Sequence, residues 1–163
     1  MINLEKKYLT LIDLVKHQDP HHAKKIAICL HVLSAANRID KSCADKLSHY
    51  NLSEGRFLIL ALLMQYDHLS PLEIAHHCGV TKATISALLQ SLIKDQFINK
   101  ALDPQDGRKQ IITLTKTGRQ LISQLFSIHT KWIEQLTDNF SQGEAEQLTQ
   151  LLTKLLNNLR DKE

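Results

Sequence analysis

Three short polar or small side chains, Ala83, Thr84 and Ser86, follow a lysine in the run Thr81-Lys-Ala-Thr-Ile-Ser86, and a basic pair, Arg108-Lys109, closes a polar turn further on. None of these residues forms a nucleophile–base pair, a phosphate-cradling glycine loop or a zinc-water motif. Their chemistry suits binding instead. Hydroxyls and a carboxamide (Thr81, Thr84, Ser86, Gln90) can hydrogen-bond base edges. Ala83 lets a backbone come close, and Lys82 can meet a phosphate or guanine. Arg108 fits a narrow, electronegative minor groove, with Lys109 on the flanking phosphate. Asp106 would repel a polyanion on its own. Two residues from Arg108, it can hold that guanidinium by a charge-assisted bond.

Those residues need elements to place them. Ser70-Pro-Leu-Glu73 reads as a capping box with proline in the first helical position. The short helix it starts should pack through Leu72, Ile74 and Ala75 and end at Cys78-Gly79, where glycine tolerates positive φ. Val80 should plug the turn, and Thr81 should cap a second helix. That helix turns Ile85, Leu88, Leu89, Leu92 and Ile93 inward and Lys82, Ala83, Ser86 and Gln90 outward. Phe97–Leu102 and Gln110–Leu114 read as strands, joined by a turn containing Asp106-Gly107. Helix, turn, helix and hairpin in this order make a winged helix-turn-helix, a device that reads duplex DNA.

The flanks are helical. Leu4, Tyr8, Leu11, Ile12 and Val15 recur at helical spacing, and Asp19-Pro20 breaks or restarts the helix. A long helix then runs from Pro20 to Ser48 with two apolar stripes: Ile26, Leu30, Leu33 and Leu47, and Ile28, Val32 and Ala36. Two such stripes imply packing on two sides. Ser53 should cap the next helix, with Phe57, Leu58, Leu60, Ala61, Leu62 and Met64 as buried candidates. Thr115 should cap a helix to about Thr137. Ser141-Gln-Gly-Glu144 is a second capping box, opening a helix with a broad leucine face from Leu148 to Leu159. The expected fold is mainly α with a small β-hairpin wing. Residues 51–116 would be the DNA-binding domain, and 1–50 with 117–163 the dimerisation helices.

Composition bounds the rest. A chain of 163 residues with 43% hydrophobic content can bury a sizeable core. The net charge of +3 is too small to argue for nucleic acid by itself. No apolar run reaches the roughly 20 residues of a membrane span. Met1-Ile-Asn-Leu-Glu-Lys-Lys7 has no secretory h-region. The expectation is a soluble, cytoplasmic protein. Three cysteines without CxxC pairing argue against a disulfide scaffold or structural zinc. The nine histidines include adjacent pairs (His21-His22, His76-His77) that diverge on a helix, so no metal is expected. No cofactor and no enzymatic activity are expected either.

Leu52-Ser-Glu-Gly-Arg-Phe57, the Ile74–Ser86 tract, Asp103-Pro-Gln-Asp-Gly-Arg-Lys109 and Leu114-Thr-Lys-Thr-Gly118 together resemble the MarR family of bacterial transcription regulators. The likeness runs from about Ile26 to the C-terminus. It implies a homodimeric repressor on a palindromic operator, dimerised by its terminal helices, with Asp106 and Arg108 matching the family's wing motif. Ala87 departs from the basic or polar residue common there. The resemblance also implies control by a small amphipathic anion, often an aromatic carboxylate, for which His31, Arg38 and Arg56 are the candidate contacts. The alternative control is oxidation of a thiol in the first long helix, here Cys29. Cys43 is too far along the helix to resolve it. A winged helix used only to bind protein is the remaining alternative.

Overall fold

The computed structural model describes residues 4–104 and 106–160. Gln105 of the expected wing tip, and the first three residues of the segment read for a secretory signal, lie outside the described residues. In chain order the elements are α1 (Lys6–Gln18), α2 (Pro20–Ser48), α3 (Glu54–Gln65), β1 (His68–Leu69), α4 (Pro71–Cys78), α5 (Lys82–Lys94), β2 (Ile98–Leu102), β3 (Gln110–Leu114), α6 (Lys116–Gln135) and α7 (Gln142–Arg160). The fold is mainly α with a three-stranded antiparallel wing sheet. The chain divides into two compact units, Met1–Ile59 and Leu60–Glu163.

In the first unit, Asp19 takes an extended conformation and ends one helix while capping the next. Its carboxylate accepts the backbone N–H groups of His21 at 2.8 Å and His22 at 3.1 Å. The cap satisfies two of the N–H groups that the first turn leaves without helical partners, and Pro20 supplies a ready-set φ at the first helical position. α1 then folds back on α2. Leu4, Ile12 and Leu30 form a buried cluster, with Tyr8, Ile26 and Ala27 packed against it. Each fully buried aliphatic side chain contributes about 1.5–3 kcal/mol. Two polar pins fix the register: the Ser34 hydroxyl donates to Glu5, and Asn37 Nδ2 donates to the Tyr8 hydroxyl at 2.9 Å.

The two stripes expected on α2 are only partly covered. Leu30 and Leu47 are buried, but Leu33 is exposed, and Ile28 of the second stripe is 62% exposed. Leu58 of α3, expected to be buried, is also exposed, because Phe57 and Ile59 on either side already face the core. Among the described residues no helix is long and apolar enough to cross a membrane.

In the second unit the local signals for chain reversal act as expected. Ser70 accepts the Glu73 N–H at 3.3 Å while the Glu73 carboxylate takes the Ser70 N–H at 2.7 Å, closing the capping box. Gly79 sits at φ +63°, in the left-handed region that ends α4. Thr81 caps α5 through the Thr84 N–H, and Ser141 and Glu144 close the second box at α7. The core gathers Leu60, Leu63, Ile74, Ile85, Leu92, Ile98, Ile112 and Ile122.

Three expected core residues are not in it. Leu72 is 61% exposed, and Val80 and Ile93 are exposed. Leu72 lies two residues before Ile74, about 200° around the helix, so the two cannot share an inward face. The strand β1 was not foreseen. Its two residues pair with β3 (His68 with Thr113, Leu69 with Ile112), giving the order β1-β3-β2. β2 starts one residue later than expected, after Gln96 at φ +59°. On α7 the leucine face stays largely bare, with Leu148, Leu151, Leu156 and Leu159 exposed.

Candidate nucleic-acid interface

α4, the Gly79 turn and α5 form the helix-turn-helix. Ile85, Leu89 and Leu92 fix the inner side of α5 in the core. The first helical turns therefore show Lys82, Ala83, Thr84 and Ser86 to solvent, and Gln90 follows one turn on. Thr81 is held by its cap, its hydroxyl 3.0 Å from that of Thr84. The backbone at this end carries the partial positive charge that attracts a phosphate.

The wing rises beside this helix end. Asp103 N–H donates to the Lys109 carbonyl at 2.9 Å and Lys109 N–H to the Asp106 carbonyl at 2.8 Å. Asp106 organises the tip. One carboxylate oxygen accepts the Arg108 backbone N–H at 3.2 Å, and the other lies 3.5 Å from Lys109 Nζ. The expected grip of Asp106 on the Arg108 guanidinium is replaced by this backbone bond and by the pair with Lys109. The two-residue spacing favours an Asx-type turn, in which the short carboxylate reaches the local backbone before a long side chain. The exposed pair contributes at most about 1 kcal/mol, so its use is to shape the tip. Arg108 remains exposed.

α5 and the wing meet around a cleft of about 430 Å³ whose walls include Ser70, Leu72, Lys82, Ser86, Arg108 and Gln110. Lys82 and Arg108, 26 positions apart in sequence, thus share one surface. Ser70, Leu72 and Gln110 were not foreseen as part of it. For Leu72, the angular offset from Ile74 is the signal that could have shown it.

The other candidates lie elsewhere. His31 is half-buried, its Nδ1 2.6 Å from the Ala27 carbonyl. It lines an apolar cavity of about 420 Å³ between α1 and α2, with Lys16 and Lys24 among the lining residues. Neither Arg38 nor Arg56 lines that cavity. Arg56 donates to the Asn51 carbonyl at 2.6 Å and so closes the turn between α2 and α3. Cys29 is exposed. Burial, with Glu54 and Asp40 nearby, pushes the Cys43 thiol up, and burial does the same to Cys78. Among the described residues no group of three or more histidine, cysteine or carboxylate side chains could hold a metal ion.

A cap-anchored helix end flanked by a basic β-wing defines a winged helix-turn-helix nucleic-acid reader. Comparison with known proteins places it further. Residues 41–125 match the family described as transcriptional regulator SarA/Rot. The chain is 33% identical to the HTH-type transcriptional repressor YetL of Bacillus subtilis (strain 168) over 162 residues, 96% of this chain and 97% of that protein. It is 33% identical to the uncharacterised regulator YwaE of the same organism, over 82% of this chain and 79% of that one. Its fold is similar to that of MepR from S. aureus in complex with DNA, at TM-score 0.66 and 29% identity, covering 77% of this chain and 92% of that one. The chain belongs to the MarR family of winged-helix transcription regulators, a family of DNA-binding proteins and not of enzymes.

Proposed function

We propose that the protein is a homodimeric repressor. Each copy sets α5 into one of two successive major grooves of a palindromic operator, with Arg108 in the adjoining minor groove and Lys82 and Lys109 on phosphates. The placing of Lys82 and Arg108 around one cleft carries this reading. Residues 51–116 form the DNA-binding domain. Residues 1–50 and 117–163 pair the two copies, and the bare leucines of α7 and Ile28 of α2 support that role. The relative YetL is a repressor by name, and the similar MepR was solved on DNA.

Sedimentation of the purified chain, together with a mobility shift on its own upstream region, tests this. A dimer that forms one discrete shifted species is expected. A monomer at micromolar concentration, or no shift of any duplex at low salt, overturns it.

Release from DNA by a small amphipathic acid is the second part of the reading. The apolar cavity at His31, with Lys16 and Lys24 beside it, supports such a ligand. A thermal-shift series with aromatic acids should show a saturable rise, lost in His31→Ala. Control by oxidation is the competing mode, favoured by the exposure of Cys29. Peroxide that lowers operator affinity in the wild type and not in Cys29→Ser would establish it.

A further inference from the structure

The outward face of α5 has a composition that selects bases. Its buried side is centred on Ile85 and Leu92. Opposite them, within an arc of about 100°, lie Ala83, Ser86, Ala87 and Gln90, all exposed. Lys82 sits at the edge of this arc and faces the wing cleft. The Thr81 and Thr84 hydroxyls bond one another in the cap. From Ala83 to Gln90 this arc therefore offers two methyl groups, one hydroxyl and one carboxamide, with no guanidinium, ammonium or carboxylate.

The major groove distinguishes the four base pairs by their edge groups. Guanine is read best by arginine or lysine on O6 and N7, and cytosine N4 by a carboxylate. Neither type occupies the arc between Ala83 and Gln90; Lys94 lies on it only one turn further on, as the last residue of α5. A glutamine carboxamide matches adenine, donating to N7 and accepting from N6. An alanine methyl packs on the thymine 5-methyl group. Ala83, Ala87 and Gln90 lie at i, i+4 and i+7, so they form one row along the helix. Gln90, the one long side chain of the row, reaches farthest.

The geometry points to α5 as a reader of A·T pairs: Gln90 selects adenine within each half-site, and Ala83 and Ala87 select adjoining thymines. This rests on α5 being the helix that enters the major groove. It makes Gln90 the specificity-determining residue and Ala87 a thymine contact, where a basic residue would have read guanine.

Selection of duplexes from a random pool by the full-length protein should return A·T pairs at the centre of each half-site. On the selected duplex, 7-deazaadenine at the Gln90 position removes the N7 acceptor. It should weaken wild-type binding about tenfold and leave Gln90→Ala unaffected, the signature of a direct contact. Uracil in place of thymine beside it should weaken binding about threefold. Gln90→Glu should shift the preferred base at that position from adenine to cytosine, because a carboxylate accepts from cytosine N4. Gln90 is exposed, so both variants keep the core. Half-sites centred on G·C, or equal sensitivity of wild type and Gln90→Ala to 7-deazaadenine, overturn the assignment while leaving DNA binding intact. Failure of the wild type to bind any duplex overturns the groove-entry reading itself.

Discussion

Gly118 lies directly against the carbonyl of Phe97: a Cβ at position 118 would stand 2.0 Å from that oxygen. The approach is fixed by Thr115. Its N–H donates to the Phe97 carbonyl at 3.0 Å, and its hydroxyl donates to the Gln96 carbonyl at 2.8 Å. The same hydroxyl accepts the Gly118 N–H at 2.9 Å. The first turn of α6 is thereby seated on the foot of β2, and so on the foot of the wing.

Gly118→Ala should therefore destabilise the fold, although alanine is the better helix former by about 1 kcal/mol. Forcing the backbone apart costs more, at least about 1–3 kcal/mol. Urea unfolding is expected to show a lower midpoint. An unchanged or higher midpoint would mean that the contact yields freely.

Arg108→Ala should weaken operator binding by about 1–3 kcal/mol without altering the unfolding midpoint, since the side chain is exposed. Fluorescence anisotropy on a labelled operator checks it. Equal affinity would remove the wing from the grip.

Lys82→Ala should reduce the slope of log affinity against log salt by about one, the signature of one lost phosphate contact. Titrations at several salt concentrations read that slope directly. A slope identical to the wild type would assign Lys82 to a base rather than a phosphate.

The Ser70 hydroxyl and backbone N–H hold the Glu73 carboxylate below its usual range. A carboxylate with a depressed folded-state pKa stabilises fully above the ordinary carboxylate range, and its contribution is lost as pH falls through the folded value. The stability gap between wild type and Ser70→Ala, about 1 kcal/mol at neutral pH, should therefore shrink as pH falls below the ordinary carboxylate range. Thermal unfolding over that range checks the sign. A gap that widens in acid would contradict the bond.

Cys29 is exposed, whereas burial pushes the thiols of Cys43 and Cys78 up. Iodoacetamide at neutral pH should label Cys29 first, with the other two reacting fully only after denaturation. Peptide mass spectrometry resolves the order. Early labelling of Cys43 would show that α2 opens in solution.

What could be read from residue order was whatever acts locally. Asp19, Ser70, Thr81, Thr115 and Ser141 each bond backbone groups within three positions, so their caps and the helix bounds could be read directly. The strand β1 could not. Two residues carry no period, and His68-Leu69 becomes a strand only because Thr113 and Ile112 arrive beside it. Leu72 is apolar and so reads as a core residue. The angular positions of Ile74 and Ala75 had already filled the core side of α4. At the wing tip the residue types were legible and the pairing was not. Asp106 has Lys109 and the Arg108 backbone within reach, and choosing between them and the guanidinium takes the turn's own geometry.

The strand order β1-β3-β2 places β3 between two neighbours, whereas at the wing tip Asp103, Asp106 and Lys109 bond to one another. Grip strength is thus uncoupled from scaffold integrity. Replacements at the fingertip can retune how firmly the regulator clasps its target while the stem remains buttressed on both flanks, so lineages can diversify this contact without first acquiring compensating changes in the core.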